Sequence, residues 1–164
     1  MYVLDANVFI SAHRGYYAFE IVPSFWENLL VLANDEKICS IDRIQDEIIR
    51  PSNGNPDKLE KWTSDNFRNY FMVTHATEVI SAYRIIQQWA DANTLFTQRA
   101  KEEFASNADA WIIAYAMAKG HTLVTHEVYN AETKNRILIP VVCREFGVNY
   151  VNTFEMLEEL KVKI

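Results

Sequence analysis

The sequence predicts an α/β protein whose mainly parallel sheet is covered by helices on both faces. Short apolar segments alternate with longer segments of helical spacing along the chain, which indicates strand–helix–strand units. The strand candidates are apolar at successive positions, as is typical of strands buried on both faces of a parallel sheet. The length of 164 residues, with only four Gly and four Pro, suits an ordered chain. We therefore expect a single domain over residues 1–164.

The first half of the chain contains three strand candidates, "YVL", "KICSI" and "YFMV". Pro23 suits the first turn of a helix, Pro51 ends one, and Asn55 followed by Pro56 begins another. With the apolar spacing, these signals predict five helices: Asn7 to about His13, Pro23 to about Ala33, Asp42 to Arg50, about Pro56 to Asn69, and about Ala76 to Ala90.

The second half continues the alternation. A helix from about Thr94 to Ala105 precedes the helix "ADAWIIAYAMAK", which Asn107 caps and Gly120 closes. The strand "HTLVT" and a polar loop lead to the helix "IPVVCREF", which Gly147 stops. The strand "VNYV" and a helix from Thr153 to about Leu160 complete the prediction.

Composition limits the classes of function. Sixteen basic and twenty-two acidic residues give a net charge of −6, the wrong sign for nonspecific coating of duplex nucleic acid. The N-terminus lacks signal-peptide features, and no segment approaches the roughly 20 apolar residues of a membrane span. We expect a cytoplasmic protein with no membrane partner.

Two acidic residues follow strands of the predicted sheet. Ligands of open parallel sheets bind beyond the carboxyl ends of the strands, where Asp5 follows "YVL" and Glu127 follows "HTLVT". The alternatives are that Asp5 only caps the next helix and that Glu127 is a solvated loop residue.

Helical spacing adds two further acids. Glu47 lies three residues after Ile44 and one before Ile48, so it shares their inward stripe, whereas Asp46 aligns with Arg50 on the outer face. Asp109 projects from the apolar face of its helix, in the first turn, where a carboxylate also favours the helix dipole. That dipole role is the alternative for Asp109.

Four acids from separate elements are thus expected to meet at one edge of the sheet: Asp5, Glu47, Asp109 and Glu127. We place no Lys or Arg at the same inward positions, so a divalent cation is the expected counter-charge. Oxygen ligands alone favour Mg²⁺ or Mn²⁺ over Zn²⁺.

The chain resembles PIN-domain nucleases over its whole length. The resemblance rests on the ordered set "VLDANVFI", "DEII", "NADAWIIAYAMAKGHTLVTHE" and "CREFGVNYVNTFEML". More narrowly, "RGYY", "PSFWENL" and "VTHE" are similar to a PIN-like subfamily of bacteria and archaea that is related to the VapC-like toxins.

The resemblance implies a three-layer α/β/α domain with an acidic pocket that binds Mg²⁺ or Mn²⁺ and cleaves RNA. By position, Asp5, Glu47 and Asp109 correspond to the family's acids, and Asn7 and Thr125 to polar residues beside them. At the fourth place most members have Thr-x-Asp, whereas this chain has Thr-His-Glu and a longer side chain. Glu127 therefore ligates directly, ligates through water, or leaves a second metal site weak.

The residue types favour a water nucleophile, because no Ser/His/Asp or Cys/His set is evident. A divalent ion held by Asp5, Glu47 and Asp109 would activate that water, and in a two-ion version Glu127 would help to hold the second ion. His126 is either a proton donor to the leaving oxygen or a loop residue that orients Glu127, and we favour the second. Three basic residues are placed to meet RNA phosphates, with a solvated charged face as the alternative for each: Arg14, Lys134 and Arg136.

The resemblance implies a metal-dependent endoribonuclease and, because most small stand-alone PIN domains are of this kind, the toxin of a type II toxin–antitoxin pair. Its expected partners are an RNA substrate, an antitoxin protein and a second copy of the chain in a homodimer. The alternative is a catalytically weak interaction module that keeps the fold and binds nucleic acid or protein. A phosphatase with an aspartate nucleophile is disfavoured because its usual second Asp is Asn7 here.

Overall fold

A five-stranded parallel sheet forms the centre of the fold. The computed structural model describes residues 1–49 and 54–164. In this part of the chain the sheet order is β3-β2-β1-β4-β5, and every neighbouring pair is parallel. The strands are β1 (Tyr2–Leu4), β2 (Ile38–Ile41), β3 (Phe71–Met72), β4 (Thr122–Val124) and β5 (Tyr150–Val151). The predicted mainly parallel sheet is confirmed.

The described residues contain nine α-helices that connect and cover these strands. They are α1 (Ala6–Arg14), α2 (Pro23–Asn34), α3 (Asp42–Ile48), α4 (Lys58–Trp62), α5 (Thr77–Ala92), α6 (Gln98–Ser106), α7 (Asp109–Lys119), α8 (Ile139–Phe146) and α9 (Thr153–Glu159). Gly120 and Gly147 follow α7 and α8 with left-handed backbone angles, as the predicted helix ends require.

Helices on both sides of the sheet complete a three-layer α/β/α fold, which confirms the predicted class. The apolar helix α7 packs on β2 and β4 and contacts α5, α6 and α8, whereas α1 contacts α3 and α4. All four residues of β2 are buried, as are the last two of β1 and of β4. This burial accounts for their continuous apolar sequence.

The strand order reverses at β1, which lies between β2 and β4. Leu4 at the end of β1 is in register with Val124 at the end of β4. The residues that follow these two strands are therefore neighbours, at the switch point where open parallel sheets bind their ligands.

Two helix boundaries differ from the prediction for local reasons. The helix expected from Pro56 to Asn69 is α-helical only in α4 and continues as a π-helical turn, Thr63–Phe67, and a 3₁₀ turn, Arg68–Tyr70. The helix expected from Thr94 begins at Gln98, because the Thr97 hydroxyl accepts a hydrogen bond from the Ala100 amide and caps α6. The predicted end of α3, at Arg50 and Pro51, lies outside the described residues.

Among the described residues, none of the helices has the combination of length and apolar character that crossing a membrane requires.

Candidate functional site

Asp5 lies at the carboxyl end of β1 with 4% of its surface exposed. One carboxylate oxygen accepts a hydrogen bond from the Ala6 amide at 2.7 Å, so Asp5 does cap α1. The other oxygen accepts from the Thr125 hydroxyl at 3.0 Å. Burial, followed by the negative charges of Asp109 and Glu127, raises the pKa of Asp5 to about 8.

Thr125 and Asn7 link the ends of β1 and β4. The Thr125 hydroxyl accepts hydrogen bonds from the Asn7 side-chain amide at 3.2 Å and from the backbone amide of Glu127 at 3.2 Å. The Asn7 carbonyl oxygen in turn accepts from the His126 amide at 3.0 Å. Asn7 and Thr125 therefore hold Asp5 and the segment after β4 together.

Asp109 is the first residue of α7 and is 9% exposed. Its backbone amide donates to the Asn107 side-chain oxygen at 2.9 Å, and its carboxylate accepts from the Asn107 amide group at 3.0 Å. Burial raises the pKa of Asp109 to about 7, and the negative charges of Glu127 and Glu47 add to this, whereas Arg136 and the Asn107 hydrogen bond oppose it. The Asn–x–Asp sequence thus fixes the carboxylate at the start of the helix.

Glu47 lies half-buried on α3 and lines an open cavity of about 640 Å³ together with Asp109. Asp46 is exposed, as predicted, but also lines this cavity. The cavity contains two arginines as well, Arg43 and Arg136. Both arginines were outside the expectation, which concerned only the inward positions of the helices.

Glu127 is bound on both of its carboxylate oxygens. One accepts a hydrogen bond from the Arg136 guanidinium and forms an ion pair with it, and the other accepts from the Ile139 amide at 2.7 Å. Ile139 is the first residue of α8, so Glu127 fixes the loop after β4 to that helix. Its side chain is 9% exposed, which excludes the solvated-loop alternative.

The four acids form one electrostatic cluster, since the charges of Asp109 and Glu127 act on Asp5 and those of Glu127 and Glu47 act on Asp109. The chemistry of this cluster fits a divalent cation, because carboxylate oxygens are the ligands that Mg²⁺ and Mn²⁺ prefer. A bound cation would also offset the repulsion among the four carboxylates. Within the described ranges, no three His, Cys, Asp or Glu side chains stand at ligand spacing. Cation binding therefore requires the acids to approach one another.

The remaining predicted residues lie away from this cavity. The His126 ring forms a hydrogen bond with the Thr153 hydroxyl at 2.8 Å, and burial lowers the pKa of His126. Arg14 lines a separate apolar groove with His126, and Lys134 is exposed with its carbonyl accepting from Thr97 at 3.0 Å. Of the three predicted RNA-binding residues, only Arg136 lines the acidic cavity.

Sequence reasoning missed Arg43 and Trp111 as cavity residues. Arg43 lies four residues before Glu47, and Trp111 lies two residues after Asp109. The i, i+4 spacing of Arg43 and Glu47 places both side chains on one face of α3, which is a signal that the sequence does contain.

Comparison with protein families gives the chain its classification. Residues 2–164 match the family described as "Domain of unknown function (DUF4411)". The chain belongs to the DUF4411 family. No curated protein matches the sequence.

Solved structures similar to this DUF4411 protein confirm the PIN-like fold. FitAcB from Neisseria gonorrhoeae has a TM-score of 0.58 at 17% identity, covering 94% of this chain and 99% of its own. VapBC2 from Rickettsia felis, bound to a DNA fragment from its promoter, has a TM-score of 0.56 at 18% identity, covering 92% and 97%. FitAB bound to the IR36 DNA fragment has a TM-score of 0.56 at 18% identity, covering 93% and 94%.

Proposed function

We propose that this DUF4411 protein is a metal-dependent endoribonuclease and the toxin of a type II toxin–antitoxin pair. The main support is the electrostatic coupling of Asp109 to Asp5 and to Glu47, which lie on three separate elements. Burying two carboxylates beside further acids costs free energy unless a counter-charge is present, and such strained groups are typical of functional sites.

In this proposal Asp5, Glu47 and Asp109 hold Mg²⁺ or Mn²⁺. A divalent cation held there would supply a water of lowered pKa and offset charge on the phosphate oxygens. The protein itself contributes fixed carboxylates, since Thr125 and Ala6 orient Asp5 and Asn107 orients Asp109.

Glu127 and Arg136 support these acids from the loop after β4. The Arg136 guanidinium holds Glu127 and opposes the rise in the pKa of Asp109. In our proposal the longer Glu127 positions Arg136 and α8, and its effect on the site is indirect, because the Arg136 guanidinium already neutralises its charge.

The proposed partner is an antitoxin protein. VapBC2 and FitAB, whose fold this chain shares, are toxin–antitoxin assemblies solved with DNA. An antitoxin would bind over the acidic cavity and exclude the RNA substrate from it. Co-expression with the product of the neighbouring gene, followed by co-purification, tests this part of the proposal.

A cleavage assay tests the enzyme. Labelled RNA and DNA oligonucleotides of one sequence are incubated with the protein while Mn²⁺ or Mg²⁺ is titrated. We expect RNA cleavage that requires the metal and falls by at least about 100-fold in Asp5→Asn and Asp109→Asn. The control is Asp91→Asn, an exposed Asp on α5, which should cleave like the wild type.

The engagement of Glu127 favours a second candidate, a weakly catalytic interaction module. That candidate predicts RNA or protein binding without cleavage under every metal tested. Metal-independent cleavage, or full activity in both Asp variants, would contradict the proposed nuclease site.

A further inference from the structure

We propose that Arg43 binds a phosphate of the RNA at the rim of the acidic cavity and so positions the strand over the carboxylates. This inference rests on the proposed nuclease function and adds a specific substrate contact to it. It rests on three features of Arg43: its position in the cavity, the contacts that hold its guanidinium, and the availability of its terminal nitrogens as donors.

Arg43 lies beside the proposed metal-binding acids. It precedes Glu47 by one helical turn on α3, so the two side chains share a face, and both line the cavity that Asp109 also lines. RNA that reaches the acids through this open cavity therefore passes the guanidinium.

A hydrogen-bond relay fixes the base of the guanidinium. The Arg43 Nε donates to the Thr74 hydroxyl at 3.3 Å. Thr74 is buried, and its hydroxyl and backbone amide donate to the Asp42 carboxylate at 2.8 and 3.1 Å. The hydroxyl that receives the Arg43 bond is thus held in place.

An aromatic stack fixes the plane of the guanidinium. Its carbon lies 4.3 Å from the centroid of the Trp111 ring, and the Tyr83 ring is stacked on Trp111 at 3.8 Å with an interplanar angle of 11°. Two groups at these distances cannot occupy the same face, so Trp111 lies between Tyr83 and Arg43. The stack preorganises the arginine, which reduces the entropy lost on binding an anion.

The outer donors of Arg43 remain available. Within residues 1–49 and 54–164, no hydrogen-bond or ion-pair partner contacts its terminal nitrogens, and the residue is exposed. By contrast, Arg136 in the same cavity is paired with Glu127. A planar guanidinium with two free nitrogens matches two phosphate oxygens.

A structural role for Arg43 is the competing explanation, because its contact with Trp111 also braces α3 against α7. Bracing would affect Glu47 and Asp109, and hence kcat and the dependence on metal. A phosphate contact would affect KM and the dependence of RNA binding on salt. The two roles therefore differ in their measured effects.

The experiment compares Arg43→Gln and Arg43→Lys with the wild type. Arg84→Gln, which removes an exposed arginine of α5 that does not line the cavity, is the matched control. Steady-state cleavage gives kcat and KM, and RNA binding to each protein in an Asp5→Asn background is measured from low to high salt. Thermal melting confirms that each variant is folded.

We expect Arg43→Gln to raise KM and Kd by about tenfold with little change in kcat, and to lower the salt slope by about 0.7. Arg43→Lys should restore the salt slope, because lysine keeps the positive charge. It loses the stacking on Trp111 and the hydrogen bond to Thr74. A lower kcat at unchanged KM in both variants would show bracing instead.

Two outcomes separate this inference from the proposed function. If the wild type cleaves RNA and Arg43→Gln behaves like Arg84→Gln in KM and salt slope, only the inference fails. If the wild type does not cleave RNA with any metal, the proposed function fails and the inference is overturned with it.

Discussion

The Thr125 hydroxyl donates a hydrogen bond of 3.0 Å to the Asp5 carboxylate, across 120 positions of sequence. This bond joins the carboxyl ends of the two strands at which the sheet order reverses. The same hydroxyl accepts from Asn7 and from the Glu127 amide, so one small side chain organises both strand ends.

Replacing Thr125 by Val should therefore weaken both the fold and the site. The variant keeps the shape of the side chain but leaves the buried Asp5 oxygen without its donor, which we expect to cost about 1–3 kcal/mol of unfolding free energy. Urea unfolding measures this loss, and Thr125→Ser, which restores the hydroxyl, is the control. Equal losses in the Val and Ser variants would show that the methyl group, not the hydrogen bond, stabilises the fold.

The metal-free protein should lose stability as the pH rises. Its folded state holds protons on Asp5 up to about pH 8 and on Asp109 up to about pH 7, whereas an unfolded chain releases them near pH 4. Because the folded state binds more protons, the unfolding free energy falls as the pH rises from about pH 4 to pH 8.

Unfolding in urea with EDTA, from pH 5 to pH 9, measures this decline. Asp5→Asn removes one of the titrating groups, so it should flatten the decline and exceed the wild type in stability at pH 8. Asp91→Asn is the surface control and should follow the wild-type profile. If the unfolding free energy of the wild type falls no more steeply with pH than that of Asp5→Asn, burial does not raise the pKa of Asp5.

Mn²⁺ or Mg²⁺ should stabilise the wild type, and more so at pH 8 than at pH 6, because binding competes with protons on Asp5 and Asp109. At a free metal concentration 100 times Kd, the expected gain in unfolding free energy is about 2.7 kcal/mol. Melting temperatures with and without metal measure the effect, which Asp109→Asn should reduce strongly. An equal gain in that variant would place the bound ion elsewhere.

The sequence was sufficient to predict the alternation of strands and helices, because apolar runs and helical spacing report burial directly. It also placed Asp5 and Asp109 at the edge of the sheet, since strand ends and helix starts follow from local signals. Burial and electrostatic coupling of both residues agree with that placement, while their role as metal ligands stays a prediction.

The partners within the site could not be predicted in the same way. The pairing of Glu127 with Arg136 depends on the path of an irregular loop, which has no periodic pattern to read. The His126 ring forms a hydrogen bond with Thr153, on a helix 27 positions farther along the chain, and its role in orienting Glu127 stays a prediction. The position of Arg43 could have been predicted from its i, i+4 spacing to Glu47. That prediction requires the charged residues of α3 to be compared with one another, in addition to the apolar ones.

Glu127 should contribute to stability more than to the chemistry. Glu127→Gln keeps an acceptor for the Ile139 amide but places an amide where Arg136 now meets a carboxylate, so we expect a loss of about 1–2 kcal/mol of unfolding free energy. Because Glu127 contributes indirectly, Glu127→Gln should lower Mn²⁺-dependent cleavage by about 10-fold, well short of the loss in Asp5→Asn.

Glu127→Asp is the informative second variant, because the shorter side chain restores the Thr-x-Asp pattern but withdraws from α8. If Glu127→Asp cleaves faster than the wild type while melting at a lower temperature, Glu127 serves the fold at the expense of the site. A loss of cleavage in Glu127→Gln as large as that in Asp5→Asn would instead make Glu127 a direct ligand.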